Sequence, residues 1–217
     1  MPAQGRRTGL LGHKILTDDG RLSSVIRLRS SVIIDTRALH VAELTRDALR
    51  NMGRYIAGSK VLLCGASYRQ DVGDTRYSGS ELAVRKLTEM SAEIRIHDPY
   101  VDHWYELEEQ DTYPSPGSSW KRFFRNQEGL KQSVVEKDLP VALSGAEAVI
   151  LAVPHKQYLN LNPDDMVAWA GGPIAIIDAF GILTDDQIRR YFELGCEVKA
   201  LGRGHLARLK REVKGGG

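Results

Sequence analysis

The chain has 217 residues, 42% of them hydrophobic and 27% charged, with a formal net charge of +2. This is ordinary globular composition with apolar content for a core, and no periodic element combines dense Lys/Arg with spaced aromatics, so neither a nucleic-acid surface nor an anionic-membrane surface is expected. No apolar run reaches the ~20 residues of a membrane span and Met1 to Lys14 lacks the apolar centre of a signal peptide, so a cytoplasmic protein is expected.

In chain order, the periodicity predicts a helix from about Leu39 to Tyr55 with Val41, Leu44, Leu49 and Met52 inward. The run Val61 to Cys64 reads as a strand buried on both faces of a parallel sheet, and Gly65 lets the chain turn where a side chain would clash. A polar loop, Ser67 to Tyr77, carries Arg69, Asp71, Asp74 and Arg76, with Tyr68 and Val72 apolar among them. Ser78 to Glu81 has capping-box spacing, and Leu82, Ala83, Leu87 and Met90 give the next helix its apolar face. Ile94 to His97 is a second strand. From Asp102 to Lys137 the pattern loses regularity: Trp104, Tyr105, Tyr113, Trp120, Phe123 and Phe124 are broken by a Pro/Gly/Ser stretch, which reads as an insertion. Its expected role is a packing arm, with a nucleotide lid using Lys121, Arg122 and Arg125 as the alternative. Strands follow at Ala148 to Val153, Ile174 to Ile177 and Glu197 to Leu201, helices at Pro163 to Ala170 and Thr184 to Leu194, and the tail from Lys214 reads as disordered. Strands alternating with helices predict an α/β fold: a mostly parallel sheet with flanking helices and right-handed crossovers, preceded by an N-terminal helical segment. Cys64 and Cys196 read as reduced core residues, since neither is paired with histidines at metal spacing and no metal site is expected.

The loop after Gly65 lies at the carboxyl end of the first strand and beside a helix N-terminus, where backbone donors and the helix dipole favour anions. A diphosphate is the guest this chemistry points to; a solvated, salt-bridged loop is the alternative. There is no G-x-G-x-x-G, and Asp98 lies farther on than a dinucleotide fingerprint requires, so Asp98-Pro99 reads as a turn and not as a ribose contact. His155 faces a ligand or is bonded to backbone.

The string Gly65-Ala66-Ser67-Tyr68-Arg69-Gln70-Asp71-Val72-Gly73-Asp74-Thr75-Arg76 closely resembles the signature of the C-terminal UDP-binding domain of the UDP-glucose/GDP-mannose dehydrogenase family: a glycine, an aromatic, a lysine, then D-x-x-D-x-R. The likeness continues through Ile96-His97-Asp98-Pro99-Tyr100-Val101, Ala152-Val153-Pro154-His155 with Tyr158, Ile176-Ile177-Asp178 and Leu201-Gly202-Arg203-Gly204. It implies a Rossmann-like fold, UDP or a UDP-sugar as ligand, and two parts: 1–58, an N-terminal segment with a remnant of the central dimerisation helix, and 59–210, the nucleotide-binding domain with its insertion at about 102–137. Carried over by position, Arg76, Asp74 and Gly65 fall on the cofactor side, while Tyr68, Arg69 and Arg203 fall on the nucleotide sugar. Arg69 stands where the family has lysine, which keeps the charge but changes the donor geometry. Arg76 matches an arginine that reaches a pyrophosphate, with bracing of the loop through Asp71 or Asp74 as the alternative.

Complete members of the family resembled carry a Rossmann domain for NAD and a cysteine loop ahead of this segment. The region before Lys60 holds no strand-glycine-helix unit. Gly9-Leu10-Leu11-Gly12-His13-Lys14-Ile15-Leu16-Thr17-Asp18 faintly resembles the cysteine loop, with Lys14 at the thiol position and Asp18 at that of its partner acid. A lysine cannot form the thiohemiacetal that a second oxidation needs. The resemblance therefore implies NAD for a complete member, and no catalytic residue and no cofactor for this chain alone. Three alternative functions are expected: the nucleotide-binding part of a dehydrogenase, working with a separate NAD-domain chain or existing as a fragment, a non-catalytic UDP-sugar-binding regulator, or a scaffold if Arg69 and Arg76 both prove salt-bridged. The 39–55 helix is the expected homodimer contact.

Overall fold

The computed structural model describes residues 10–11, 14–15, 22–108 and 124–215, with side chains from residue 36 onward. A short antiparallel pair, β1 (Leu10–Leu11) and β2 (Lys14–Ile15), precedes the long helix α1 (Leu22–Asn51). Then follow β3 (Lys60–Cys64), α2 (Gly79–Glu89), β4 (Glu93–His97), α3 (Tyr105–Glu108), a 3-10 turn (Glu128–Gln132), β5 (Val135–Glu136), α4 (Leu139–Leu143) and β6 (Ala148–Leu151). The C-terminal half adds α5 (Lys156–Leu159), α6 (Pro163–Ala170), β7 (Ala175–Asp178), α7 (Asp185–Glu193), β8 (Glu197–Ala200) and α8 (Leu206–Gly215).

Six strands form one parallel sheet in the order β5-β4-β3-β6-β7-β8. Parallel strands require both faces covered, and the alternation of side chains shows how. Val61, Leu63, Ile96, Ile150 and Ile177 point into one core shared with α1 and α2. Leu62, Cys64, Val149, Leu151, Ile176 and Val198 point into the other, shared with Met166, Ile188, Tyr191 and Leu209 of the opposite helices. The α/β, Rossmann-like sheet read from the sequence is the observed one.

The boundaries differ in instructive places. Helix α1 begins at Leu22 instead of Leu39, through Ser-Ser pairs and Val/Ile runs of weak helix propensity. It stops before Tyr55 because Gly53 turns left-handed, with φ +74° and its N–H on the Arg50 carbonyl. Val41 and Leu49 are buried as expected, while Leu44 and Met52 are partly buried against the same core. At α2, Ser78 does cap, accepting from the Ser80 N–H at 3.2 Å, but Glu81 does not reach back to complete the box. It is buried in an ion pair with Arg85 at 2.7 Å, an arginine whose Nη2 also donates to the Glu106 carbonyl. The reciprocal capping box occurs at α7, between Thr184 and Gln187. The stretch read as an irregular insertion contains β5, an edge strand paired to β4, and Trp104, which is fully buried in the first core. Tyr113, Trp120 and Phe123 lie outside the described residues. The tail read as disordered from Lys214 is helical through Gly215.

Gly65 has φ +107°, and a Cβ placed there would lie 2.5 Å from Val153 Cβ and 2.8 Å from the Val153 nitrogen. Gly65→Ala should therefore cost about 2–4 kcal/mol through backbone strain and overpacking, read by urea denaturation. The second-site change Val153→Ala should recover only part of the loss, because the backbone contact remains.

Candidate functional site

The sheet order places β3 and β6 side by side while their crossovers depart in opposite directions, so a crevice opens beyond their carboxyl ends. A cleft of roughly 220 Å³ lies there, walled by Arg37 and Val41 of α1, Tyr68 after β3, Tyr77 before α2, Val153 after β6 and Phe180 after β7.

Its floor is organised by Asp98. One carboxylate oxygen, Oδ2, accepts from the N–H groups of Ala66 at 2.7 Å and Ser67 at 3.1 Å; Oδ1 accepts from Tyr100 at 2.8 Å and Val101 at 3.2 Å. His155 Nδ1 accepts the Asp71 N–H at 2.9 Å, which places its proton on Nε2, 3.1 Å from Asp98 Oδ2. Burial raises the Asp98 carboxyl, but hydrogen bonds from His155, Tyr100 and Ala66 outweigh it, and the group lies below its usual range. Ser67 Oγ and Asp98 Oδ2 both face the same nitrogen of the buried His155, so the trio is a brace and not a nucleophile relay. The Gly65 N–H in turn donates to the His97 carbonyl at 2.9 Å. All three N–H groups of the glycine turn are thus bonded internally, with a protein carboxylate where the turn chemistry invites a phosphate.

Asp178, at the end of β7, repeats the device: its carboxylate accepts from the N–H groups of Phe180, Gly181, Ile182 and Leu183 and shapes the loop that carries Phe180. Next to Asp98, buried His97 has Nδ1 2.7 Å from the Tyr158 hydroxyl and Nε2 3.2 Å from the Lys137 carbonyl. Burial, above all, pushes its pKa down.

The structure separates the residues singled out by sequence. Tyr68 lines the cleft, and the Arg69 guanidinium lies 5.7 Å from its ring centroid with no carboxylate partner among the described residues. Arg76 is exposed and forked onto Asp74, with Nε to Oδ1 at 2.8 Å and Nη2 to Oδ2 at 2.6 Å, which draws the Asp74 carboxyl down to about 2. Gly65 serves the backbone turn. Arg203 donates to the Gly181 carbonyl at 2.6 Å and so ties the end of β8 to the Phe180 loop. His155 is internal. Sequence reasoning missed Arg37, whose Nη2 donates to the Ala179 carbonyl at 3.0 Å while its guanidinium sits 5.2 Å over the Phe180 ring. It also missed Tyr77 and Phe180. A strand-end acid followed by Ala-Phe-Gly was the available signal for the last. Both cysteines are buried and burial raises both thiols, which opposes formation of the thiolate.

Residues 62–185, more than half of the chain, match the family described as UDP-glucose/GDP-mannose dehydrogenase family, UDP binding domain. Among curated proteins, the chain is 24% identical over 147 residues to the UDP-glucose 6-dehydrogenase of Caenorhabditis elegans, covering 68% of this chain and 28% of that protein. It is 19% identical over 172 residues to the Drosophila melanogaster UDP-glucose 6-dehydrogenase, covering 79% and 34%. The chain thus spans about a third of the length of these relatives. Among solved structures, an NDP-N-acetyl-D-galactosaminuronic acid dehydrogenase from Methanosarcina mazei Go1 superposes with a TM-score of 0.64 at 22% identity, covering 92% of this chain and 35% of that one. A UDP-D-ManNAc dehydrogenase from Pyrococcus horikoshii gives 0.56 at 19%, covering 85% and 33%. These two share the fold.

The brace makes stability pH-dependent with a defined sign. Asp98 is depressed in the fold, so its contribution is fully present above about pH 4 and is lost as pH falls through its folded value. His97 is also lowered, so the unfolded chain binds its proton first and stability already declines below about pH 6.5. Urea midpoints between pH 7 and 3 should fall in that order. Asp98→Asn should cost about 3 kcal/mol or more at pH 7, having lost charge-assisted acceptance of several donors, and should flatten the lower part of the profile.

Proposed function

The chain belongs to the UDP-glucose/GDP-mannose dehydrogenase family, of which it is the C-terminal UDP-binding domain, and on that premise we propose that it binds the nucleoside diphosphate part of a UDP-sugar in the cleft beyond β3 and β6. It serves there as the nucleotide-binding part of an NAD-dependent nucleotide-sugar dehydrogenase. The observation that carries this reading is a cleft at the sheet's crossover point, lined mostly by residues of the matched segment, with Tyr68 in its wall and, beside it, the Arg69 guanidinium, which has no carboxylate partner among the described residues.

Placing the dinucleotide elsewhere is supported by the engaged donors and acceptors at this unit's own crossover point. Asp98, just after β4, has both oxygens engaged, and the N–H groups of Gly65, Ala66 and Ser67 are bonded internally. In this reading NAD is held by a separate domain or chain, and this chain alone does not reduce it. Arg76 faces outward, already in the planar two-point geometry that a phosphate would compete for. The proposed division remains 1–58 and 59–210, with homodimer contact through α1, where Leu39 is 37% exposed, and with a cytoplasmic location. No helix among the described residues is long and apolar enough to cross a membrane.

A second reading, a non-catalytic regulator that binds a UDP-sugar, is favoured by Lys14 at the thiol position. NADH formation on adding an NAD-domain chain together with a UDP-sugar separates the two. The scaffold reading required both arginines to be salt-bridged; Arg76 is, and Arg69 has no such partner among the described residues.

UDP should raise the melting temperature of the chain, since a ligand bound only to the native state adds about 2.7 kcal/mol at a hundredfold excess over Kd. Calorimetry on Arg76→Ala should show UDP binding weakened by about 1.5 kcal/mol, the low end for a charge-assisted hydrogen bond at an exposed group. Folding stability should change little, the Asp74 pair being solvated. Unchanged UDP affinity in that variant would assign Arg76 to bracing the loop.

A further inference from the structure

From Tyr68 to Tyr77 the loop after β3 has one buried residue, Thr75, set between half-buried Asp74 and exposed Arg76. Its hydroxyl donates to Glu106 Oε2 at 2.7 Å. Glu106 is buried on α3, in the stretch that the sequence presents as an irregular insertion, and it lies outside the residues that line the cleft. A hydroxyl donating to a buried carboxylate is a charge-assisted bond in a low-dielectric setting, which makes it a strong tie.

The acceptor is itself held. Fully buried Arg85 of α2 donates from Nη2 to the Glu106 carbonyl at 2.9 Å and from Nε to Glu81 Oε1 at 2.8 Å, and the Gln127 amide donates to the Arg85 carbonyl at 3.2 Å. Helix α3 is thereby fixed against α2. The loop meets the same backing segment at a second point, because a Cβ on Gly73 would lie 2.5 Å from the Tyr100 carbonyl oxygen. Residues 98–108 thus support the loop from behind at Gly73 and Thr75, while the Tyr68 N–H on the Asp74 carbonyl and the Ser78 N–H on the Thr75 carbonyl close it from within. The direction of the Arg76 side chain follows from the backbone at Thr75. Two-point contact of a guanidinium with a phosphate is demanding in angle, and small misplacements weaken it.

Resting on the nucleotide reading above, we infer that Glu106 is a positioning residue: through the Thr75 hydroxyl it sets the direction in which Arg76 meets the second phosphate of a nucleoside diphosphate. Its effect passes through the loop and not through contact with the ligand.

The test is calorimetry on the full chain with UDP and UMP, which differ by that phosphate. The wild-type chain should bind UDP the more tightly. In Thr75→Val, which keeps the shape and removes the hydroxyl, UDP affinity should fall by up to about tenfold, the loss expected for Arg76→Ala, while UMP affinity holds. Thr75→Ser should restore the preference for UDP. Glu106→Leu removes the acceptor instead and should shrink the preference in the same way, so the bond is read from either side even where one variant folds poorly. Adding Arg76→Ala to Thr75→Val should weaken UDP binding little further, since both act on one contact. Equal binding of UDP and UMP by the wild type, an unchanged preference in a folded Thr75→Val or Glu106→Leu chain, or fully additive losses in the double variant would each overturn the inference. A lowered melting temperature with the preference intact would assign the bond to folding alone and overturn it too. Failure of the wild type to bind UDP at all is a separate result and overturns the underlying nucleotide reading.

Discussion

Asp98 is a fully buried carboxylate that accepts from four backbone N–H groups and from His155, and the geometry around the cleft depends on it. Its donors come from the turn after β3, from its own chain after β4, and from the segment after β6. Three strand ends that would otherwise leave unpaired polar groups at the sheet's edge converge on one internal anion. A buried charge is tolerable only when so fully bonded, and the same bonding fixes the positions of Ser67 and Tyr68.

The Asp178 carboxylate does for the β7 loop what Asp98 does for the β3 turn. Between them, two strand-end acids shape opposite sides of the cleft, one presenting Tyr68 and the other Phe180. Arg37 from α1 and Arg203 after β8 then secure the Phe180 side by donating to the Ala179 and Gly181 carbonyls. Most charged groups near the site therefore act on backbone. Residues that look like ligand contacts in sequence are also engaged with loops and with each other here, as Asp74 and Arg76 are.

Strands β3, β6 and β7 were legible because a strand buried on both faces leaves a continuous apolar run bounded by turn residues. The two-residue β5 was not, since Val135–Glu136 has no run to detect and owes its existence to pairing with β4. The first half of α1 was hidden by serine pairs and β-branched residues, whereas α8 carried Leu206, Leu209 and Val213 at helical spacing and was obscured by the glycines around it. In the site, Tyr68 and the Arg69–Arg76 loop were readable because they are contiguous. Arg37 meets Ala179 across 142 positions, a relation that no local pattern encodes.

Helix α1 is 30 residues long, which at 1.5 Å per residue is about 45 Å. Its C-terminal half, from Ala38 to Leu49, is embedded in the first core, and Arg37 marks the point where that seat meets the cleft. The helix is in this sense a lever with its fulcrum at the cleft wall. The arm from Leu22 to Ala38 is about 24 Å, so a tilt of about 5° swings its far end by about 2 Å while Arg37 barely moves.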